Sequence, residues 1–172
     1  MGTTSAALSN RRYFRQAYRT GVHGWGAQPS PYAMGLLRRL KRLVPRGRLL
    51  DLGCGEGRHA IAAARLGLRV IGVDAEPLAL RRARAKARRL EVEFRLGSAL
   101  DLPLAAASFD VVLDWGCLHH QRKSDWALYK ANLLRVLKPE GFYVLETFGP
   151  GFRLFHGGRR PWLSGWSSGS RT

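Results

Sequence analysis

Asp51-Leu52-Gly53-Cys54-Gly55-Glu56-Gly57 sets a carboxylate two residues ahead of three glycines at alternate positions. Glycine tolerates positive φ and lets a ligand approach bare main chain, so this segment suits a cradle for a polar, nucleotide-like group. A dinucleotide fingerprint would need its third glycine where Arg58 stands, and the Lys-Ser/Thr ending of a phosphate loop is missing. The plain alternative is a bare strand-to-helix turn. A second acid, Asp74, closes the apolar run Val70-Ile71-Gly72-Val73. An ionised carboxylate has two acceptor oxygens and suits a pair of hydroxyls; otherwise Asp74 is a solvated acid at a strand end.

Asp114-Trp115-Gly116-Cys117-Leu118-His119-His120 adds an indole, a thiol and two imidazoles. His119 and His120 are the candidate catalytic residues, as a base or as groups that orient a substrate; the alternative is a pair that packs locally at a helix start. Cys117, His119 and His120 supply three metal-ligating side chains with no evident fourth, so no metal is assigned.

These residues need elements to hold them. The apolar runs 49–52, 69–73, 109–113 and 142–147 and the alternating segment 92–96, with Val92, Phe94 and Leu96, read as strands, and 58–66, 76–90 and 124–137 as the helices among them. Gly67 stops the first of these helices, Pro77 sits in the first turn of the second, Ser124 caps the third, and Pro139-Glu140-Gly141 makes a turn. Residues 32–44 form a further helix behind Ser30-Pro31, and 11–18 a short amphipathic one. Alternating strands and helices imply an α/β fold with a mostly parallel sheet and right-handed crossovers. Each motif above lies at the carboxyl end of a strand, where such sheets bind ligands.

With these residues in place, the chain resembles a known family. Asp51–Gly57 is similar to the first motif of class I S-adenosylmethionine-dependent methyltransferases, and Ile71-Gly72-Val73-Asp74 to their second. Leu100-Asp101-Leu102-Pro103 with Ser108–Val112 resembles the approach to strand four, and Leu134–Gly141 the turn before strand five. The resemblance spans roughly residues 45–148. Gly57-Arg58-His59-Ala60 and Cys117–His120 are most like small-molecule branches, such as tellurite-resistance and thiopurine-type enzymes. It implies a Rossmann-like three-layer sandwich with strand order 3-2-1-4-5, S-adenosylmethionine as cofactor, and methyl transfer by in-line displacement. Asp51 would meet the methionine ammonium. Gly53, Gly55 and Gly57 would lie against methionine and ribose, and Asp74 would hold the ribose hydroxyls. Ala75 and Leu100 would flank adenine, with Cys54, Ala99 and Asp114 completing the shell and Trp115 walling adenine or acceptor. Ser98 stands where the family often has an acid for the adenine amino group; the hydroxyl is a weaker acceptor, with Asp101 as a substitute.

The 172 residues suit one core. Domain expectations are an aromatic and basic segment over 1–30 that would serve as a lid, the cofactor-binding domain over 31–150, and an irregular tail over 151–172. The family's closing helix and antiparallel strands do not fit in that tail. Strand five is then an open edge, and the chain is either truncated and impaired or a homodimer through that edge. The net charge of +17, from 29 Lys+Arg against 12 Asp+Glu, draws polyanions. Yet the basic run Arg81–Arg89 circles its helix and defines no face, and an Arg-, Ala-, Gly- and Leu-rich composition arises from GC-rich coding alone. Asp114 is not followed by the Pro-Pro-aromatic motif of amino-methylating nucleobase enzymes. A small-molecule acceptor therefore leads. A non-catalytic cofactor-binding module and an RNA methyltransferase using the basic surface are the rivals. No apolar run is long enough for a membrane span, no secretion signal opens the chain, and two cysteines make no disulfide framework, which points to the cytoplasm.

Overall fold

The structure is a computed structural model and describes residues 5–146 and 152–156, with side chains described over 10–146. Two helices, α1 (Ser5–Thr20) and α2 (Pro31–Leu43), precede the alternating part. There follow β1 (Arg48–Leu52), α3 (Arg58–Arg65), β2 (Arg69–Asp74), α4 (Pro77–Lys86), β3 (Val92–Leu96), β4 (Phe109–Trp115), α5 (Trp126–Val136), β5 (Leu137–Glu146) and β6 (Phe152–His156). The sheet runs β3-β2-β1-β4-β5-β6. Its first five strands are parallel, in the expected order 3-2-1-4-5.

Successive residues of the central strands face opposite layers. Leu49, Val70 and Val111 pack with Leu37 and Leu40 of α2, Ile61 of α3 and Leu80 of α4. Leu50, Ile71 and Val112 pack with Tyr129, Leu133 and Val136 of α5. Both faces are covered, so the strands read as continuous apolar runs rather than alternations. The direction of winding reverses between β1 and β4, which opens a crevice beyond their carboxyl ends. Register brings the acids there: Leu52 lies beside Asp114, and Trp115 beside Glu146.

Several expectations are corrected. The sheet does not stop at β5. β6 pairs with it antiparallel, Tyr143 opposite Phe155 and Glu146 opposite Phe152. The edge on which a dimer was premised is thereby occupied, and 152–156 is a strand rather than irregular chain; the remainder of the 151–172 tail lies outside the described residues. Pro139-Glu140-Gly141 is not a separate turn but a bulge within β5, which shifts register between Phe109↔Leu137 and Val111↔Phe142. Helix α4 ends at Lys86, before Arg89, which takes φ +71°. Ser124 lies in a 3-10 turn, Lys123–Asp125, and Asp125 holds the N-cap position of α5. Ser30 is at the N-cap of α2, but its side chain makes no cap hydrogen bond. Among the described residues no helix is long and apolar enough to cross a membrane.

Candidate active site

The loop after β1 is built by positive φ at Gly53 (+71°), Gly55 (+54°) and Gly57 (+79°). It is fastened to the end of β2. The N–H groups of Gly53 and Cys54 both donate to the Val73 carbonyl (2.8 and 3.0 Å), and that of Gly55 donates to Asp74 Oδ2 (2.8 Å). Asp74 Oδ1 accepts from the Glu76 N–H (2.8 Å) at the start of α4. One carboxylate thus sets the spacing between the glycine loop and the second helix. Burial pushes the Asp74 carboxyl up; those two N–H groups pull it back.

The absence of side chains at the glycines is explained first by protein neighbours. A β-carbon on Gly53 would lie 2.8 Å from Cys117 Cβ, and one on Gly57 would lie 2.8 Å from the Phe94 ring. One on Gly55 would lie 2.6 Å from the Tyr18 hydroxyl. Gly57 lies outside the cavity lining and packs against Phe94.

Asp51, 2% exposed, ties the end of β1 to α3 by accepting the Ala60 N–H at Oδ2 (2.9 Å). Burial raises its carboxyl to about 7, against the pull of that N–H and of Arg58. Among the described residues neither Asp51 nor Asp74 takes part in an ion pair. A buried carboxylate lacking a cation partner is a receptive place for an ammonium.

A cavity of about 980 Å³ opens over this loop. Of the expected site residues, Asp51, Gly53, Cys54, Gly55, Trp115, His119 and His120 line it. Asp74 touches the loop from the β2 side. Ala75, Ser98, Ala99 and Leu100 lie outside the cavity wall; the Ser98 hydroxyl accepts the Leu100 N–H (3.1 Å), and Asn132 donates to the Leu100 carbonyl (2.9 Å). Asp114 corrects the expectation of a ligand contact. It is 0% exposed, and its carboxylate accepts from the Cys117 and Leu118 N–H groups (2.8 and 3.2 Å) and from the Tyr129 and Tyr143 hydroxyls (2.7 and 2.8 Å). With four donors spent on it, Asp114 positions the 114–120 segment rather than meeting a ligand.

Helix α1 forms the roof. Asn10 Nδ2 donates to the His120 carbonyl (2.7 Å), and Arg15 Nε is 3.7 Å from Glu76 Oε2. On its inner face Phe14 and Tyr18 turn toward the site. Phe14 meets the His120 ring edge-on at 4.7 Å, and Tyr18 is 5% exposed, its hydroxyl directly over Gly55. Burial and the nearby Asp74 drive the Tyr18 phenol upward, so it stays a neutral hydroxyl. The segment after α1 adds Trp25, with His23 stacked on it at 4.3 Å.

Three site residues were missed by sequence reasoning. His59 is 4% exposed, accepts the Ser30 N–H at Nε2 (3.1 Å), and is held neutral by burial, which lowers it to about 3. Arg58 donates to the Gly26 and Gln28 carbonyls (3.0 and 3.4 Å), fastening the roof to α3. Glu146 ends β5 at the cavity wall, and burial raises its carboxyl. An acid closing an apolar strand is the signal that drew attention to Asp74; the same signal marks Glu146. No group of three His, Cys, Asp or Glu among the described residues stands close enough to hold a metal ion.

A family model described as a methyltransferase domain matches residues 49–141. The chain belongs to this family, the class I S-adenosylmethionine-dependent methyltransferases. The ubiquinone biosynthesis O-methyltransferase of Cereibacter sphaeroides (strain ATCC 17025) is 38% identical over 102 residues, 58% of this chain and 40% of that protein. A probable S-adenosylmethionine-dependent methyltransferase of Mycolicibacterium smegmatis is 36% identical over 108 residues, 60% of this chain and 40% of that one. The matched part thus spans about two fifths of these curated relatives. The crystal structure of the Burkholderia thailandensis 1,6-didemethyltoxoflavin-N1-methyltransferase, with 1,6-didemethyltoxoflavin and S-adenosylhomocysteine bound, superposes with a TM-score of 0.68 at 27% identity. That match covers 94% of this chain and 72% of that one. S-Adenosylmethionine is accordingly the cofactor of this methyltransferase domain, and the donor set fits it: an unpaired buried carboxylate at the cavity wall and a second one clasping the glycine loop.

Proposed function

We propose that this methyltransferase domain moves the methyl group of S-adenosylmethionine onto a small-molecule acceptor held in the 980 Å³ cavity. The observation that carries this reading is Asp51, a buried acid without a cation partner, at the wall of that cavity beside a glycine loop clasped by Asp74. Asp51 holds the methionine ammonium. Beyond its backbone N–H donors the Asp74 carboxylate retains acceptor capacity, which suits the ribose hydroxyls. Ala75, Ser98, Ala99 and Leu100 border the adenine, with Gly53, Cys54 and Gly55 along the methionine and ribose.

The sulfonium supplies an electrophilic methyl group with a neutral leaving group. The protein's part is therefore chiefly alignment and exclusion of water. Helix α1 and the 21–30 segment serve as the cover, with Tyr18 over Gly55 and Phe14 against His120. His119 and His120 border the acceptor side. Two relatives named above carry small-molecule names, ubiquinone biosynthesis and 1,6-didemethyltoxoflavin, and none of the names favours a non-catalytic module or an RNA substrate. Free thiols at Cys54 and Cys117 suit a reducing compartment, and we assign the cytoplasm.

Thermal shift tests the cofactor site. S-Adenosylhomocysteine at about 100 times its Kd should raise Tm by roughly 5–10 °C. NAD at the same concentration should leave it unchanged; the opposite ranking would sink the assignment.

The raised Asp51 carboxyl gives the site a pH signature. A folded-state value of about 7 against 3.8 unfolded means that the ligand-free fold loses stability as pH climbs between them. Below about 7 the acid is neutral and attracts an ammonium poorly. Affinity for S-adenosylhomocysteine should therefore fall by up to ~10-fold per unit as pH drops below that value, and level off above it. Calorimetric titration across this range checks it. Asp51→Asn should flatten the profile; a wild-type profile without the slope would remove the ammonium from Asp51.

A further inference from the structure

The methionine moiety of the cofactor carries an ammonium and a carboxylate on one carbon, and only the first has a seat so far, at Asp51. A site for both needs an acid and a base that face the same space without neutralising each other. Asp51 and Arg58 stand in that relation. Both line the cavity, and their charges act on each other across the glycine loop. Yet among the described residues Arg58 forms no ion pair, either with Asp51 or with Glu146, the other acid whose charge reaches it. The remaining cations of the cavity wall are placed otherwise. Arg82 donates to Glu56 Oε1 (2.8 Å) and Lys86 to Oε2 of the same carboxylate. Arg65 stands two turns further along α3, about 10 Å from Arg58 along the axis.

Arg58 is engaged on one edge only. Nη1 donates to the Gly26 and Gln28 carbonyls (3.0 and 3.4 Å), while Nε and Nη2 meet no acceptor among the described residues. Nε–H and Nη2–H lie side by side in the guanidinium plane and match the two oxygens of a carboxylate. The edge in use holds the cover. Among the described residues those two bonds are the only hydrogen bonds from 22–29 to α3; one residue on, the Ser30 N–H reaches His59 Nε2 (3.1 Å). Trp25 packs instead on Phe14 and Tyr18 of α1, contacts that stay within the cover itself. A guanidinium is rigid. Filling its free edge therefore fixes the plane of the whole group and, through Nη1, the two carbonyls it holds.

We infer that Arg58 is the latch between cofactor and cover: Nε and Nη2 bind the methionine carboxylate while Nη1 holds the Gly26 and Gln28 carbonyls, so that the cover is fixed over a cofactor bearing that carboxylate. The amino acid end of the cofactor, rather than its nucleoside, then governs closure of the cavity. A ligand that keeps the adenosine and the amine but lacks the carboxylate enters the site and leaves 22–29 loose. This inference rests on the methyl-transfer reading with the ammonium at Asp51, and the experiment separates the two.

The full chain is titrated by calorimetry with S-adenosylhomocysteine and with its decarboxylated analogue, in which a hydrogen replaces the carboxylate. Absence of S-adenosylhomocysteine binding overturns the methyl-transfer reading and this inference with it. The analogue should bind the wild type at least ~30-fold more weakly, as two charge-assisted hydrogen bonds are missing. Equal affinities overturn the inference alone. Arg58→Ala should weaken S-adenosylhomocysteine by a similar factor and leave the analogue nearly unchanged. Equal weakening of both ligands would mean that Arg58 only supports the fold, and overturns the inference. Should the alanine variant fail to fold, Arg58→Lys takes its place; it keeps the charge and loses the planar fork, so the gap between the two ligands should shrink there as well. Amide hydrogen exchange over 22–29 reads the cover. Saturating S-adenosylhomocysteine should slow it about 10-fold or more in the wild type, and the analogue, also saturating, should slow it far less. Equal slowing by the two ligands overturns the link between carboxylate and cover.

Discussion

Asp114→Ala is expected to cost the fold about 3–5 kcal/mol, the largest effect of any single substitution at the site. The carboxylate is fully buried at the end of β4 and is the meeting point of four donors: two backbone N–H groups from the turn that follows and hydroxyls from Tyr129 and Tyr143. Alanine leaves all four without an acceptor, and an orphaned buried donor costs about 1–3 kcal/mol. An asparagine side chain in its place would retain one oxygen with two lone pairs but present an NH₂ to the other pair of donors, so Asp114→Asn should lose roughly half as much. Chemical denaturation measures both. The turn that places His119 and His120 hangs on this residue, so any folded Asp114→Ala protein should also lose acceptor binding. Wild-type stability in the alanine variant would mean that the four donors find other partners.

Asp74→Ala should raise the Kd for S-adenosylhomocysteine by at least ~100-fold. Two charge-assisted hydrogen bonds to a diol, each about 1.5–3 kcal/mol, disappear with the carboxylate. The loop would also slacken, because the Gly55 and Glu76 N–H groups lose their acceptors. Asp74→Asn separates the contributions. Its single oxygen can keep one N–H and hold the fold near wild-type, while the amide nitrogen cannot accept from a hydroxyl. Calorimetry with S-adenosylhomocysteine should show most of the loss in the asparagine variant too. If that variant binds as the wild type does, the carboxylate serves only the loop and the ribose lies elsewhere.

The contrast between these two acids shows what was legible in the sequence. Both end a buried parallel strand, and on the linear chain they look alike. Asp74 meets donors from residues two and nineteen positions away, within one β-α-β unit. Asp114 takes its hydroxyl donors from Tyr129 of α5 and Tyr143 of β5, and only folding brings those together. Strands β1, β2 and β4 could be read because each is a compact apolar run, and β3 because Val92, Phe94 and Leu96 alternate along it. β6 could not, since Phe152–His156 sits beside a glycine-rich stretch and owes its form to the free edge of β5. That the Phe94 ring of β3 fills the space beside Gly57 could not be read from the loop alone. The aromatic character of the N-terminal segment was plain, but not that Tyr18 ends over Gly55.

Helix α1 is held from its middle turns to opposite halves of the sheet: through Asn10 to the chain after β4, and through Arg15 to the start of α4 beyond β2. Gly21, at φ +72°, follows it as a joint. If this helix acts as the proposed cover, the two reactants share one doorway and product release waits for the helix to move. The slow stage of each cycle is then mechanical, so the steady-state rate should decline as sucrose thickens the solvent while the bond-making step, followed in a single turnover, keeps its speed.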